Sequence, residues 1–155
     1  MGFENITIRK FKSADSSVVC EIIKRNLIEI NSKDYPEDII KDMCKLYIPE
    51  YMIRIAKQRH INVAELNGII IGTASLDKNE ICTVFVDVDY HKCGVGRKLM
   101  SSMEDVAKKN SVNIIQLHSS LTSLNFYYAL GYKYVEEIDV PNLGRSIIVE
   151  KQFYK

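Results

Sequence analysis

The sequence predicts a mixed α/β fold: a mostly antiparallel central sheet flanked by helices. Three observations carry this. Residues 62–88 are rich in β-branched side chains and broken by tight-turn signals, so the middle strands follow one another through hairpins. From Gly94 the apolar period changes to 3.6, with Val95, Leu99, Met103, Val106 and Ala107 on one helical face. Strand-like and helix-like segments then alternate to the end. Hairpin-joined middle strands exclude a doubly wound parallel sheet.

Each element has its own reason. Residues 5–9 alternate Ile6 and Ile8 with polar neighbours, as a half-buried strand does. Ser13-Ala14-Asp15 opens a helix that places Val18, Ile22, Ile23, Asn26 and Leu27 inside. Tyr35-Pro36-Glu37-Asp38 starts a second helix, with proline at the first helical position and acids beside the positive end of the dipole. A short third helix follows Pro49. Residues 62–66 and 69–76 pair across Asn67-Gly68, and 81–88 form a central strand after a turn at 77–79. The helix from Gly94 leads to a strand at 112–117 and a helix at 121–130, stopped by Gly131. Strands at 132–138 and 146–149 close the sheet around a turn at 141–144.

The chain has 155 residues, with 46% apolar and 26% charged, which suits one globular domain over 1–155. Three prolines and no Gly/Ser linker leave nowhere to divide it. The net charge of +1 argues against a protein that lives on nucleic-acid phosphates. No apolar run reaches the roughly 20 residues that cross a bilayer, and the start lacks the apolar core of a secretory signal. Cys20, Cys44, Cys82 and Cys93 have neither C-x-x-C spacing nor a histidine at zinc-ligand spacing. The expectation is therefore a cytoplasmic protein with reduced thiols, no metal and no membrane or nucleic-acid partner.

Two stretches carry chemistry. In the first, residues 83–100, a strand runs into a turn and Gly94-Val95-Gly96 opens a helix. The first N–H groups of a helix lack internal partners, and with the dipole they form an anion site. Lys92, Arg97 and Lys98 add cations, so the junction reads as a pyrophosphate cradle. The dinucleotide fingerprint G-x-G-x-x-G fails at Leu99, and no P-loop is present. Cys93 lies inside the cradle, where a helix N-terminus can make a thiol oxidisable. In the second stretch, 119–132, Ser119, Ser120 and Thr122 can cap a helix that carries adjacent Phe126, Tyr127 and Tyr128.

Together these stretches resemble the GNAT superfamily of acetyl-CoA-dependent N-acetyltransferases. That family's pyrophosphate motif is Gln/Arg-x-x-Gly-x-Gly/Ala after a strand; here it is His91-Lys92-Cys93-Gly94-Val95-Gly96, with His91 in the Gln/Arg place. Its later motif, F-Y-x-x-L-G-F/Y, is matched from Phe126 to Tyr132. The order of strands and helices over roughly residues 6 to 150 is also the family's.

The resemblance implies a splayed pair of parallel strands that binds the coenzyme, and direct transfer of acetyl to a primary amine with no acyl-enzyme. Residues 91–97 (His91, Lys92, Cys93, Gly94, Val95, Gly96 and Arg97) would hold the pyrophosphate. Backbone groups of Val84 and Val86 would pair with the pantetheine arm, and an N–H of Val84 or Phe85 would serve the oxyanion. Thr122 and Ser120 stand near the start of the later helix where many members carry an asparagine, and Ser120 is the candidate there for a pantetheine contact. Tyr127 matches the family's general acid. A primary amine near pKa 10 must also lose a proton, for which Glu80, Asp87, His118 or water are candidates.

The acceptor would lie under the early helices, residues 13–57. Glu29, Asp34, Glu37 and Asp38 there are interspersed with Lys24, Arg25, Lys33 and Lys41, so no acidic excess marks a groove. A small amine and a protein or peptide amine both remain open. Ile147, Ile148 and Phe153 of the last strand suggest a homodimer seam. The competing class is a catalytically silent acyl-CoA sensor on the same fold, from which a positioned Tyr127 phenol is the discriminator; a nucleotide-binding regulatory domain is disfavoured by the missing P-loop.

Overall fold

The computed structural model describes residues 5–141 and 144–153. Strand β1 (Ile6–Lys10) leads through a 3-10 turn (Ser13–Asp15) into α1 (Ser16–Glu29). A second 3-10 turn (Asn31–Lys33), α2 (Glu37–Leu46) and α3 (Pro49–Ile55) complete the helical segment. A meander of β2 (His60–Leu66), β3 (Ile69–Asp77) and β4 (Glu80–Val86) follows. After a 3-10 turn (Val88–Tyr90) come α4 (Val95–Lys109), β5 (Ile114–Ser119), α5 (Leu124–Ala129), β6 (Lys133–Val140) and β7 (Gly144–Gln152). The sheet runs β1-β2-β3-β4-β5-β7-β6. Its neighbours are antiparallel except for the parallel pair β4–β5.

Side chains alternate across this sheet, and each face buries its own core. On one face α4 brings Leu99, Met100 and Met103 against Ile115, Leu117 and Val149. On the other, α1 and α3 bring Ile23, Leu27 and Met52 against Ile61 and Val63. Asp15 ties the first turn to β1: it accepts from both terminal nitrogens of Arg9 (2.8 and 2.9 Å) and from the Lys12 N–H (2.7 Å).

Several boundaries differ from the sequence expectation for local reasons. Val18 points outward, 41% exposed, while its neighbours Val19 and Cys20 are buried, a rotation of one helical position. Pro36 caps α2 in an extended conformation rather than occupying its first turn. β4 stops at Val86 because Asp87 caps the following 3-10 turn, its carboxylate accepting from the Asp89 N–H (2.9 Å). Helix α5 begins at Leu124 rather than 121 and leaves Leu121 exposed. Of the apolar residues that suggested a dimer seam, Ile147 is buried and Phe153 packs on the same core beneath the Lys108 ammonium (4.8 Å), while Ile148 is half-buried. Of the closing turn at 141–144, residues 142–143 lie outside the described residues.

The feature that positions the site is a bulge in β4. The β3–β4 register passes from Thr73↔Phe85 to Ser75↔Cys82, so Thr83 and Val84 stand opposite one residue, Ala74. Thr83 takes a φ of 47°, which costs a β-branched residue about 1 kcal/mol or more. Two hydrogen bonds hold it there. The Ser75 hydroxyl donates to the Cys82 carbonyl (3.0 Å), so the Thr83 hydroxyl donates to Ser75 Oγ (2.5 Å). β4 and β5 pair only at Glu80↔Gln116 and Ile81↔Leu117, then part.

Candidate functional site

Where β4 and β5 part, two cavities meet. One, of about 430 Å³, lies beneath α2 and α3. The other, of about 470 Å³, lies at the start of α4. Asn31, Val84, Phe85, Ser123 and Tyr127 line both, so the bulged edge of β4 and the α5 tyrosine form the junction.

The second cavity gathers most of the residues expected to hold a coenzyme. Val84, Phe85 and Val86 supply its β4 wall, and His91, Lys92, Gly94, Val95, Gly96 and Arg97 its far end. Gly94 is the N-cap of α4 with a φ of +88°, and a side chain there would meet nothing within 4 Å, so the helix N-terminus is open to a ligand. Gly96 is different: a Cβ there would lie 3.0 Å from Phe126 Cζ, so this glycine lets α4 and α5 approach. Cys93 does not line the cavity; its thiol donates to the His91 carbonyl (3.5 Å). Lys98 is turned to the Ile6 carbonyl (3.4 Å).

Val86 and His91 have partners of their own. The Val86 carbonyl accepts from Asn26 Nδ2 (2.8 Å) and from His91 Nε2 (2.9 Å). His91 Nε2 also faces Asn26 Oδ1 (3.1 Å), so the ring proton sits on that nitrogen. Of the two β4 groups expected to pair with pantetheine, Val86 thus has its carbonyl occupied. Asn26 itself is buried and also donates to Ile22 (2.9 Å). The only sequence signal for it was a polar residue on an apolar helical face.

The first cavity holds the other candidates. Glu80, His118 and Ser120 line it, facing Tyr35, Tyr47 and Tyr51. Burial pushes the Tyr47 phenol up to about 12 and the Cys82 thiol to about 11. Ser120 lines this cavity and not the second; its hydroxyl is shared with Ser123, accepting from the Ser123 N–H (3.3 Å) and donating to Ser123 Oγ (3.2 Å). Asp87 lines neither cavity. It caps its turn and faces Arg25 (3.4 Å), which forks onto Asp89 (3.0 and 3.1 Å) and reaches Glu29 (2.8 Å). Sequence reasoning missed one contact at the rim: Asp34 accepts from Thr122 at both its N–H (2.9 Å) and its hydroxyl (2.5 Å).

Tyr127 is 7% exposed, set edge-to-face against Phe126 (5.1 Å) and Tyr132 (6.0 Å). Its hydroxyl has no hydrogen-bond partner among the described residues. Burial pushes the phenol above its ordinary value, so it stays protonated at neutral pH. Tyr128, one position on, is 40% exposed.

Known structures share this arrangement of chain. A GCN5-related N-acetyltransferase from Rhodopseudomonas palustris superposes with a TM-score of 0.89 at 19% identity, covering 99% of both chains. The PaiA N-acetyltransferase of Thermoplasma acidophilum, solved in complex with coenzyme A, gives 0.83 at 23% identity over 96% of this chain and 99% of that one. YncA of Salmonella typhimurium, solved with its cofactor acetyl-CoA, gives 0.70 at 19% over 96% and 94%. No curated protein matches the chain in sequence. The family model for the acetyltransferase (GNAT) domain matches residues 31–142, a span that contains the bulge, the β4–α4 junction and α5. Most of the chain thus matches that model, on the segment that supplies most of the lining of both cavities, and the protein belongs to the GNAT acetyltransferase family.

Proposed function

We propose that the protein is an N-acetyltransferase that moves the acetyl group of acetyl-CoA directly to a primary amine. The observation that carries this is the place of Tyr127: a buried, protonated phenol with a free hydroxyl, on the shared wall of two cavities. A sensor that only bound acyl-CoA would need one of those cavities and no positioned acid.

The residues present fit the coenzyme. The open N-terminus of α4 at Gly94, with Lys92 and Arg97 beside it, offers backbone N–H groups and positive charge to a pyrophosphate. When bound, acetyl-CoA supplies an activated thioester. Val84, at the bulge, is free of the contacts that occupy the Val86 carbonyl, so strand-like pairing with the pantetheine arm falls chiefly to it. An N–H of Val84 or Phe85 donates to the thioester oxygen as charge develops there; such donors are worth roughly 3 kcal/mol in comparable sites. Tyr127 gives its proton to the departing thiolate.

The amine must lose its proton before it attacks. Glu80 and His118 share its cavity, but Glu80 lies four residues before Val84, about 13 Å along an ideal strand, and so acts through water. The arrangement of Asp87 disfavours it, since Arg25 and its own turn claim its carboxylate. The four free cysteines suit a reducing compartment, which supports the cytoplasm, and the reading takes 1–155 as one catalytic domain. The deciding experiment follows CoA thiol release from acetyl-CoA over an amine panel: turnover that needs both an amine and the Tyr127 hydroxyl supports the reading, and acetyl-CoA binding without turnover on any amine overturns it.

A further inference from the structure

We propose that the acceptor is a compact free amine with an apolar body, seated against a wall of tyrosines, and not the terminus or side chain of a protein; this rests on the acetyltransferase reading above. The segment 30–36 that joins α1 to α2 contributes Asn31 and Tyr35 to the acceptor cavity, and it is fastened on two sides. On one side Asp34 holds Thr122, in the loop before α5, through two hydrogen bonds of 2.9 and 2.5 Å. On the other, Gly144 at the start of β7 lies against it: a Cβ there would come within 3.4 Å of Tyr35 Cδ1. The cavity is therefore strapped over from the α5 loop to β7. An extended peptide advances about 3.3 Å per residue and needs a groove that runs past the site, and a segment pinned at both the α5 loop and β7 leaves less length for one on that side. A half-open volume of about 430 Å³ is the size of a small-ligand site.

The lining gives the chemistry of the guest. Tyr35, Tyr47, Tyr51 and Met43 present apolar and π surface, and Tyr47 and Tyr51 stand edge-to-face at 5.7 Å. Two charged groups interrupt it. Arg59 already faces Asp77 (3.8 Å), while Glu80 has no ion-pair partner among the described residues and meets only the Cys82 thiol (3.7 Å). The uncompensated charge in the lining is thus negative, in a cavity walled by tyrosines of which Tyr51 already carries the Arg54 guanidinium over its ring (5.3 Å), and it favours a guest that enters as an ammonium ion.

The test compares acceptors on the wild-type protein. Acetyl-CoA affinity is first measured by calorimetry, and CoA release is then followed with compact amines and with peptides bearing free N-termini or internal lysines. The expected result is a kcat/KM at least about 100-fold higher for a compact amine than for any peptide. Equal or better turnover of peptides would overturn the acceptor class while leaving the transferase reading intact. Acetyl-CoA binding with no turnover on either set would overturn both. A second measurement uses Tyr35→Ala, checked for folding by circular dichroism: KM for the compact amine is expected to rise about tenfold with acetyl-CoA affinity unchanged, because Tyr35 lines only the acceptor side. An unchanged KM in the folded variant would overturn the tyrosine wall.

Discussion

The ring nitrogen Nε2 of His91 lies 2.9 Å from the carbonyl oxygen of Val86, and Asn26 reaches the same oxygen from α1. One backbone atom at the end of β4 thereby joins the roof helix to the loop that opens α4. Asn26 is the buried member, so Asn26→Ala is expected to destabilise the fold by about 1–3 kcal/mol, since it removes the side-chain donor to both the Val86 and Ile22 carbonyls and leaves a void at a buried position. His91→Ala should cost less, about 1 kcal/mol, because the half-buried ring leaves room for water. Urea unfolding of the two variants checks the order; a more damaging His91→Ala would reverse the roles assigned here.

Gly94, not Gly96, is the clean probe of the anion cradle. Gly96→Asp would strike Phe126 whether or not a phosphate binds nearby. Gly94→Asp meets open space and sets a carboxylate at the helix N-terminus, at a backbone cost of about 1–2 kcal/mol that Gly94→Ala shares. Calorimetry should show coenzyme A affinity falling by more than about tenfold in Gly94→Asp beyond any loss in Gly94→Ala, since charge alone separates the two. Equal affinities would place the pyrophosphate elsewhere.

Tyr127→Phe keeps the ring and its contacts with Phe126 and Tyr132 and removes only the hydroxyl. Steady-state kinetics on an accepted amine should show kcat reduced about 10²–10⁴-fold, with acetyl-CoA affinity nearly unchanged. Tyr128→Phe, on an exposed ring, should match the wild type.

Stability should also depend on pH through Asp15. Its hydrogen bonds to Arg9, opposed by burial and aided by the Lys12 N–H, hold the carboxyl below its ordinary value of 3.8. A depressed folded value stabilises the fold above the unfolded pKa, and that contribution is lost as pH falls through the folded one. Between neutral pH and about 4 it is constant, and below that it declines. Asp15→Asn should remove about 1–3 kcal/mol at neutral pH and flatten the acid limb of a thermal-melt profile. An unchanged acid limb would assign the acid sensitivity to other carboxylates.

The order of elements along the chain, the Asn67-Gly68 hairpin and the Gly94 junction were legible because each depends on local chemistry: periodicity, a two-residue turn, a helix N-terminus. The bulge was not. Thr83 is β-branched and reads as a regular strand residue; only Ser75, across the hairpin, holds its backbone in the left-handed region. The strap was hidden for a similar reason, since Asp34 and Thr122 are 88 residues apart and neither belongs to a motif. Tyr127 could be named from its register before Gly131, but its position between two cavities is a tertiary fact.

The parting of β4 from β5 leaves the sheet nearly severed. Four strands on one side and three on the other are stitched by the pairing of Glu80 with Gln116 and Ile81 with Leu117. The seam between them is where native-state amide exchange should open first, because few backbone bonds must break there. A ligand laid along the gap would staple the two halves. Occupancy would then add backbone-level coupling to the core that α4 already shares between the halves, and slowed exchange in β5 and β7 would report binding on the far side of the molecule.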